Sequence, residues 1–360
     1  MDIEKALLVE VRLSSDTTPL IESLEELKQL AQSAGAEIVG TLTQNKNSPD
    51  MRFYLGKGKL EELKQLAITT EANLIIFDNE LSASQIRNLE EILDIKVINR
   101  TELILDIFAQ HAHTREGKLQ VELAQTEYRS THLTGHGTEL SRLGGGIGTR
   151  GPGETKLEKD RRIIKEQLSY LKKELEKVRK TREVARQKRK SSNMPLISLV
   201  GYTNAGKSTL INSLAKASVL TQDKLFATLD PVTRRLYLPS GKIVLITDTV
   251  GFIRKLPHSL ISAFRATLEE TTEADILLHV VDASSPYVED QINAVYTVLE
   301  ELKIFSKPII TVFNKIDKVE SKTKLINLKE KYEPSVYASA LEKEGLDKLL
   351  EIIDSTLPSQ

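Results

Sequence analysis

Four short strings in the second half of the chain hold the residues best placed to do chemistry. The first is Gly201-Tyr202-Thr203-Asn204-Ala205-Gly206-Lys207-Ser208. It follows the apolar run Leu196–Val200 and opens a helical pattern, the setting a phosphate-binding loop requires. Its glycines let backbone N–H groups turn inward around phosphate oxygens. In that setting Lys207 is expected to reach the β- and γ-phosphates of a nucleoside triphosphate, and the Ser208 hydroxyl to ligate Mg²⁺.

The second string, Asp248-Thr249-Val250-Gly251, ends the apolar run Ile243–Thr247. Asp248 can hold Mg²⁺ through water, and the Gly251 N–H can approach the γ-phosphate. Between the two lies Phe226-Ala227-Thr228-Leu229-Asp230-Pro231, with little helical pattern. Thr228 is the candidate second hydroxyl ligand to Mg²⁺, the alternative being an ordinary loop threonine. A loop that gains its metal ligand only with triphosphate bound is an order–disorder switch, with Phe226 to Asp230 lying along the nucleotide.

The third string settles the base. Asn314-Lys315-Ile316-Asp317 ends the run Ile309–Phe313. A carboxylate at Asp317 can accept two hydrogen bonds, from the N1–H and 2-amino group of guanine. Adenine offers neither donor, and a buried carboxylate left unmatched discriminates by roughly 10⁴-fold or more. The fourth string, Ser339-Ala340-Leu341, can set a backbone N–H against guanine O6. In this order the four, with Phe226–Pro231 between the first two, describe a site that binds GTP and GDP and cleaves the γ-phosphate, with Lys207, Thr228 and Gly251 around the reacting group. The position after Gly251 is Phe252, whose side chain cannot orient a water, so intrinsic turnover is expected to be slow. Either K⁺ held by Asn204 or a large partner that orders the switches would compensate. The plainer role for Asn204 is a hydrogen bond within its own loop.

These strings need strands that end where they begin. Residues 193–360 alternate apolar runs with amphipathic stretches: strands are expected near 196–200, 235–238, 243–247, 276–281, 309–313 and 336–338. That is an α/β, doubly wound sheet with ligands at its strand ends. Residues 1–110 also alternate, with strands expected at 6–11, 37–42, 74–77 and 96–99 and helices at 21–32, 59–66 and 84–93, a small α/β domain. Gly56-Lys57-Gly58 reads as a helix-entry turn, and no catalytic constellation stands out in this part.

Residues 111–192 differ. A helix over 118–130 is followed by the glycine-rich Leu143–Gly153 and a long helical pattern from about 154 to 190. Ile164, Leu168, Leu171, Leu175, Val178 and Ala185 recur at steps of three and four, with Arg182 in one apolar slot, as in a coiled-coil seam; Leu119, Leu123 and Thr126 offer a partner face. The simplest arrangement is an antiparallel helical hairpin with a glycine-rich tip. Between 155 and 190 fifteen Lys/Arg stand against six Asp/Glu, in a chain whose net charge is −1. Such a strip is either a solvated face or a contact with a polyanion. Within the tip, Gly146-Ile147-Gly148-Thr149-Arg150-Gly151 has the form of a dinucleotide fingerprint, but a helix rather than a strand precedes it.

Composition narrows the rest. There are no cysteines, which excludes disulfides and thiolate metal sites. Trp is absent and aromatics make up 5%, so no aromatic stacking platform is advertised. The N-terminus lacks the basic and apolar regions of a secretion signal, and no run approaches ~18 uncharged apolar residues. A cytoplasmic protein without a membrane span is the expectation.

The strings together resemble the phosphate-loop GTPases of the translation-factor-related class. Phe226–Pro231, Asp248-Thr-Val-Gly-Phe252-Ile-Arg254 and the stretch Gly144–Asp160, with Gly-Pro-Gly-Glu-Thr before Leu157-Glu-x-Asp160-Arg161-Arg162, are similar to the HflX family over nearly the whole chain. The resemblance implies a GTPase that binds the large ribosomal subunit and its rRNA and splits stalled or idle ribosomes under stress; a monomer is the expectation. It implies an RNA contact for the tip, including Arg150. Some members carry a further C-terminal domain, which a chain ending at Gln360 is expected to lack. Two rivals remain: a GTP-dependent factor in RNA modification or ribosome assembly, and a phosphotransferase built on the phosphate loop.

Overall fold

The computed structural model describes residues 3–14, 20–132, 152–190, 194–215, 225–226, 229–255, 271–304, 307–319 and 322–357. Side chains are described for all of these except 20–21, 152–157, 182–190, 322–325 and 329. The tip at 143–151, Ala227 and Thr228 therefore lie outside the described residues. Two compact units emerge, one of residues 1–110 with 118–176, the other of 111–117 with 177–360.

The first unit is built on four parallel strands in the order β2-β1-β3-β4. These are β1 (Lys5–Leu13), β2 (Glu37–Lys46), β3 (Leu74–Phe77) and β4 (Lys96–Asn99). Helices α1 (Leu20–Ser33), α2 (Lys57–Thr70), α3 (Ala83–Leu93) and α4 (Arg100–His111) connect or follow them. Leu74 to Phe77 are all buried, the continuous apolar run of a strand covered on both faces. Helix starts follow local chemistry. Ser82 and Gln85 form a reciprocal capping box at α3, and Gly56 caps α2, consistent with the helix-entry reading of Gly56–Gly58. β2 runs four residues past the expected Leu42, because its polar end pairs with β1 out to Leu13↔Lys46. No alternation in Thr43–Lys46 announces that ladder; only the partner strand sustains it.

Helix α5 (Arg115–His132) and the long α6 (Pro152–Lys190) make up the middle of the chain. Gln167 donates to Glu122 at 3.2 Å, and Lys172 pairs with Glu127 at 3.0 Å. The seam residues Ile164, Leu168, Leu175 and Val178 are half-buried, and Leu171 is buried. On α5 Leu123 and Thr126 are buried, as expected of a partner face, while Lys172, Lys173, Lys177, Arg179 and Lys180 are exposed.

The second unit carries a six-stranded sheet in the order β10-β9-β8-β5-β7-β6. The strands are β5 (Leu196–Gly201), β6 (Thr233–Tyr237), β7 (Ile243–Thr247), β8 (Ile276–Asp282), β9 (Ile309–Asn314) and β10 (Ser335–Tyr337). Helices α7 (Lys207–Ala215), α8 (Val288–Glu301), α9 (Lys322–Lys331) and α10 (Leu346–Thr356) intervene or follow. All described pairings are parallel except β6 against β7, which is antiparallel at the sheet edge. The core joins Ile197, Leu199, Ile246, Leu278, Val280, Ile310 and Val312. Because five strands run the same way, their carboxyl ends meet along one rim, where Gly201, Asp248, Asp282, Asn314 and Ser339 are delivered together.

Candidate functional site

The rim is held together by hydrogen bonds between the four strings. Asn314 donates from Nδ2 to the Ala205 carbonyl at 2.9 Å and accepts the Ala340 N–H on Oδ1 at 2.9 Å. One buried side chain thus staples the 201–208 loop to the 339–341 loop. Gly206, at φ +92, presses so close that a Cβ would lie 2.3 Å from Asn314 Nδ2. Only glycine fits there, for both its φ and the approach. Gly251 is constrained from the other side: its Cβ would lie 2.8 Å from Thr203 Cα and 3.0 Å from Lys207 Nζ.

Phe252 joins the first two strings through its backbone. Its N–H donates to the Gly201 carbonyl at 3.0 Å, and its carbonyl accepts the Thr203 N–H at 2.7 Å. The ring itself is buried, in keeping with a side chain that does not serve a water. The Tyr202 hydroxyl accepts the Arg254 N–H at 3.0 Å. Asn204 stands at φ 59, a left-handed conformation asparagine tolerates. It is half-buried at the turn.

Lys207 Nζ donates to the carbonyls of Gly201 and Tyr202 at 3.1 and 2.9 Å, so the ammonium is curled into its own loop. Burial pulls its pKa down to about 8, against the opposing pull of Asp248. The Ser208 hydroxyl donates to Asp248 Oδ2 at 2.6 Å, and the Thr249 N–H donates to Oδ1 at 2.9 Å. Ser208 and Asp248 therefore form a pair of hard oxygen donors of the kind that suits Mg²⁺. Behind them Thr249 Oγ1 donates to the Leu199 carbonyl, locking the strand end to β5.

In the third string, Asp317 accepts the Ser339 hydroxyl at 2.6 Å, and Ser339 Oγ in turn accepts the Glu342 N–H at 3.1 Å. Ala340 is buried, whereas Leu341 is exposed. Lys315 stands at φ 61 and pairs with Asp282 at 2.7 Å. Asp282 and Ser213, whose hydroxyl donates to the Ala340 carbonyl at 2.6 Å, are site residues that sequence reasoning missed. A signal existed for Asp282: it directly follows the apolar run Ile276–Val281, as Asp248 follows Ile243–Thr247, and the fold sets it opposite Asn314 in the parallel register. Ser213 had none, because only the fold carries α7 to the 339–341 loop.

The 226–231 string divides. Phe226 and Leu229 are buried, and Phe226 takes φ 57. The carboxylate of Asp230 receives the backbone N–H groups of His113 and Thr114 at 3.0 and 2.9 Å rather than a group of the rim.

Comparison with known proteins places this geometry. The description "GTP-binding GTPase N-terminal" matches residues 21–109, "GTP-binding GTPase Middle Region" 111–189, and "50S ribosome-binding GTPase" 196–315. A GTPase HflX of Caldanaerobacter subterraneus is 52% identical over 356 residues, 99% of this chain and 81% of its own. The chain belongs to the HflX family of GTPases. The Escherichia coli GTPase HflX is 45% identical, with 99% of this chain and 84% of its own covered. Among solved structures, the SsGBP complex with GDP aligns over 98% of both chains at 26% identity, with a TM-score of 0.55. A chain of this family binds GTP and GDP and hydrolyses GTP, and its fold is that of a phosphate-loop GTPase preceded by the family's N-terminal and middle regions. Among the described residues no helix is long and apolar enough to cross a membrane.

Proposed function

We propose that this HflX GTPase is a ribosome-directed switch that binds the large subunit and its rRNA and separates stalled or idle ribosomes under stress, acting as a monomer in the cytoplasm. The observation that carries the reading is the basic side of α6, where Lys172, Lys173, Lys177, Arg179 and Lys180 are exposed within one stretch of helix. Such a strip binds phosphate backbones by displacing counterions. The "50S ribosome-binding GTPase" description of the matching family region supports the same destination.

The proposed division is an N-terminal domain over 1–110, a basic helical hairpin over 111–192 and a GTPase domain over 193–360. In the site, backbone N–H groups of 201–208 surround the phosphates and Lys207 turns from its own carbonyls to the β- and γ-oxygens. Gly251 faces the γ-phosphate, Asp317 reads the base, and Ser339 to Leu341 close over it. Ser208, Thr228 and, through water, Asp248 would hold Mg²⁺, which would supply charge neutralisation at the phosphates. Because the Phe252 ring offers no hydrogen bond to the attacking water, turnover is slow until the ribosome orders the switches.

Sedimentation of whole ribosomes mixed with the protein and GTP tests the reading. Free subunits are expected where intact particles were present, and capture of the large subunit is expected with a non-hydrolysable analogue. Intact particles in both arms would overturn it. Asn204 is the proposed K⁺ ligand; GTP turnover several-fold faster in K⁺ than in Na⁺ is the expected outcome, and equal rates would remove that part. The rival of an RNA-modification or assembly factor draws on one observation. Asp78, Glu26 and Arg100 do cluster at strand ends of the first unit, yet all are buried, closed to a substrate.

A further inference from the structure

Asp230 was expected beside the nucleotide, but its carboxylate is engaged elsewhere. It accepts the N–H groups of His113 and Thr114 at 3.0 and 2.9 Å, and the Thr114 hydroxyl donates to its other oxygen. Thr114 Oγ1 also accepts the Gly117 N–H at 3.0 Å, so Thr114 starts α5 while Asp230 grips the residues that start it. Gly117 is what makes the grip possible: a Cβ there would lie 2.5 Å from Asp230 Oδ1. His113, Thr114, Gly117 and Asp230 all belong to one compact unit. Two residues beyond Asp230, the Val232 carbonyl accepts the Asp248 N–H at 3.1 Å, and Thr233 and Thr247 join hydroxyls at 2.8 Å. Asp248 then accepts the Ser208 hydroxyl. Hydrogen bonds at Asp230 and Val232, two residues apart on one segment, thus tie the first turn of α5 to the residue that carries the oxygen pair of the phosphate site.

We propose that Asp230 is a positioning residue for GTP hydrolysis: clasped to the start of α5, it fixes the 229–232 segment so that Val232 holds Asp248 in register with Ser208. The clasp makes the metal-binding oxygens depend on how α5 begins. It concerns the hydrolytic site and does not require the ribosomal reading.

The test uses the full chain with Asp230→Ala, Gly117→Ala and the pair together. Each single variant is expected to raise the Mg²⁺ concentration for half-maximal GTP turnover by about tenfold, the scale of losing hydrogen bonds to a charged acceptor. GDP affinity measured without Mg²⁺ is expected to stay at the wild-type value, which also shows that the variants fold. The double variant is expected to be no worse than either single one, and Asp230→Asn, which keeps an acceptor for the amides, to recover part of the loss. A wild-type Mg²⁺ requirement in Gly117→Ala, or additive losses in the pair, would overturn the proposal. Should Gly117→Ala fail to bind GDP, Thr114→Val decides by the same readout, since it removes the hydroxyl donor with little change of shape.

Discussion

At the scale of single residues, the phosphate loop holds a buried charge in readiness for the nucleotide. Lys207 is buried with its ammonium on carbonyls of its own loop, and burial lowers its pKa to about 8, so near that pH a good share of the side chain is neutral before nucleotide arrives. Phosphate oxygens favour the charged form and push the pKa back up. Nucleotide binding is therefore expected to take up about half a proton at pH 8, and affinity should fall as pH rises through that value. Calorimetric titration with GDP in buffers of different ionisation enthalpy measures the uptake; heats independent of buffer would contradict it. Asp317 makes a second residue-scale prediction. Its hydrogen bond with Ser339 orients the carboxylate. Asp317→Asn replaces one acceptor with a donor, so preference is expected to move from guanine toward xanthine nucleotides. Unchanged selectivity in a competition assay would remove Asp317 from the base pocket.

At the scale of elements, parallel strands gather polar residues at their carboxyl ends in both units. In the GTPase sheet this assembles the phosphate site. In the first unit it buries Arg100, just past β4, against Asp78, just past β3, at 2.7 Å and Glu26 of α1 at 2.5 Å. Ser23 of α1 adds a hydrogen bond to the other oxygen of Asp78 at 2.9 Å. Removing one member of a buried ion cluster leaves the remaining charges in a low-dielectric interior without compensation. Arg100→Ala is expected to cost about 3–5 kcal/mol of stability, read as a lower urea midpoint for the first unit. An unchanged midpoint would mean that the cluster is solvated rather than buried.

At the scale of the whole molecule, stability is tied to pH through the centre of the second sheet. His279 on β8 is fully buried, edge-on to Tyr296 at 5.3 Å between ring centroids. Burial, with Lys207 adding to it, pushes its pKa down to about 3 from the ordinary 6.5. Between those values the unfolded chain binds a proton that the folded chain refuses, so stability falls as pH falls from 6.5 toward 3. The slope from this one group approaches ~1.4 kcal/mol per pH unit, or about 2 kcal/mol lost by pH 5. His279→Leu is expected to flatten the dependence of the urea midpoint on pH across that window, whatever it does to the midpoint itself. An unaltered slope would show that other groups govern acid unfolding.

Much of this was legible in the residues. The phosphate loop, Asp248–Gly251 and Asn314–Asp317 each end an apolar run, and local chemistry alone makes those strand ends. The helix start at Gly56 is local too. The polar half of β2 was not, nor was Ser213, whose role depends on neighbours far away in the chain. Asp230 shows the limit most plainly. Its sequence neighbours pointed to a nucleotide contact, yet its carboxylate is held by amides of residues 113 and 114, more than a hundred positions earlier. Spacing along the chain fixes which groups a strand end presents, because backbone geometry is short-ranged. Which of two possible partners a side chain takes depends on where remote segments pack, and that was decided only when the sheet closed.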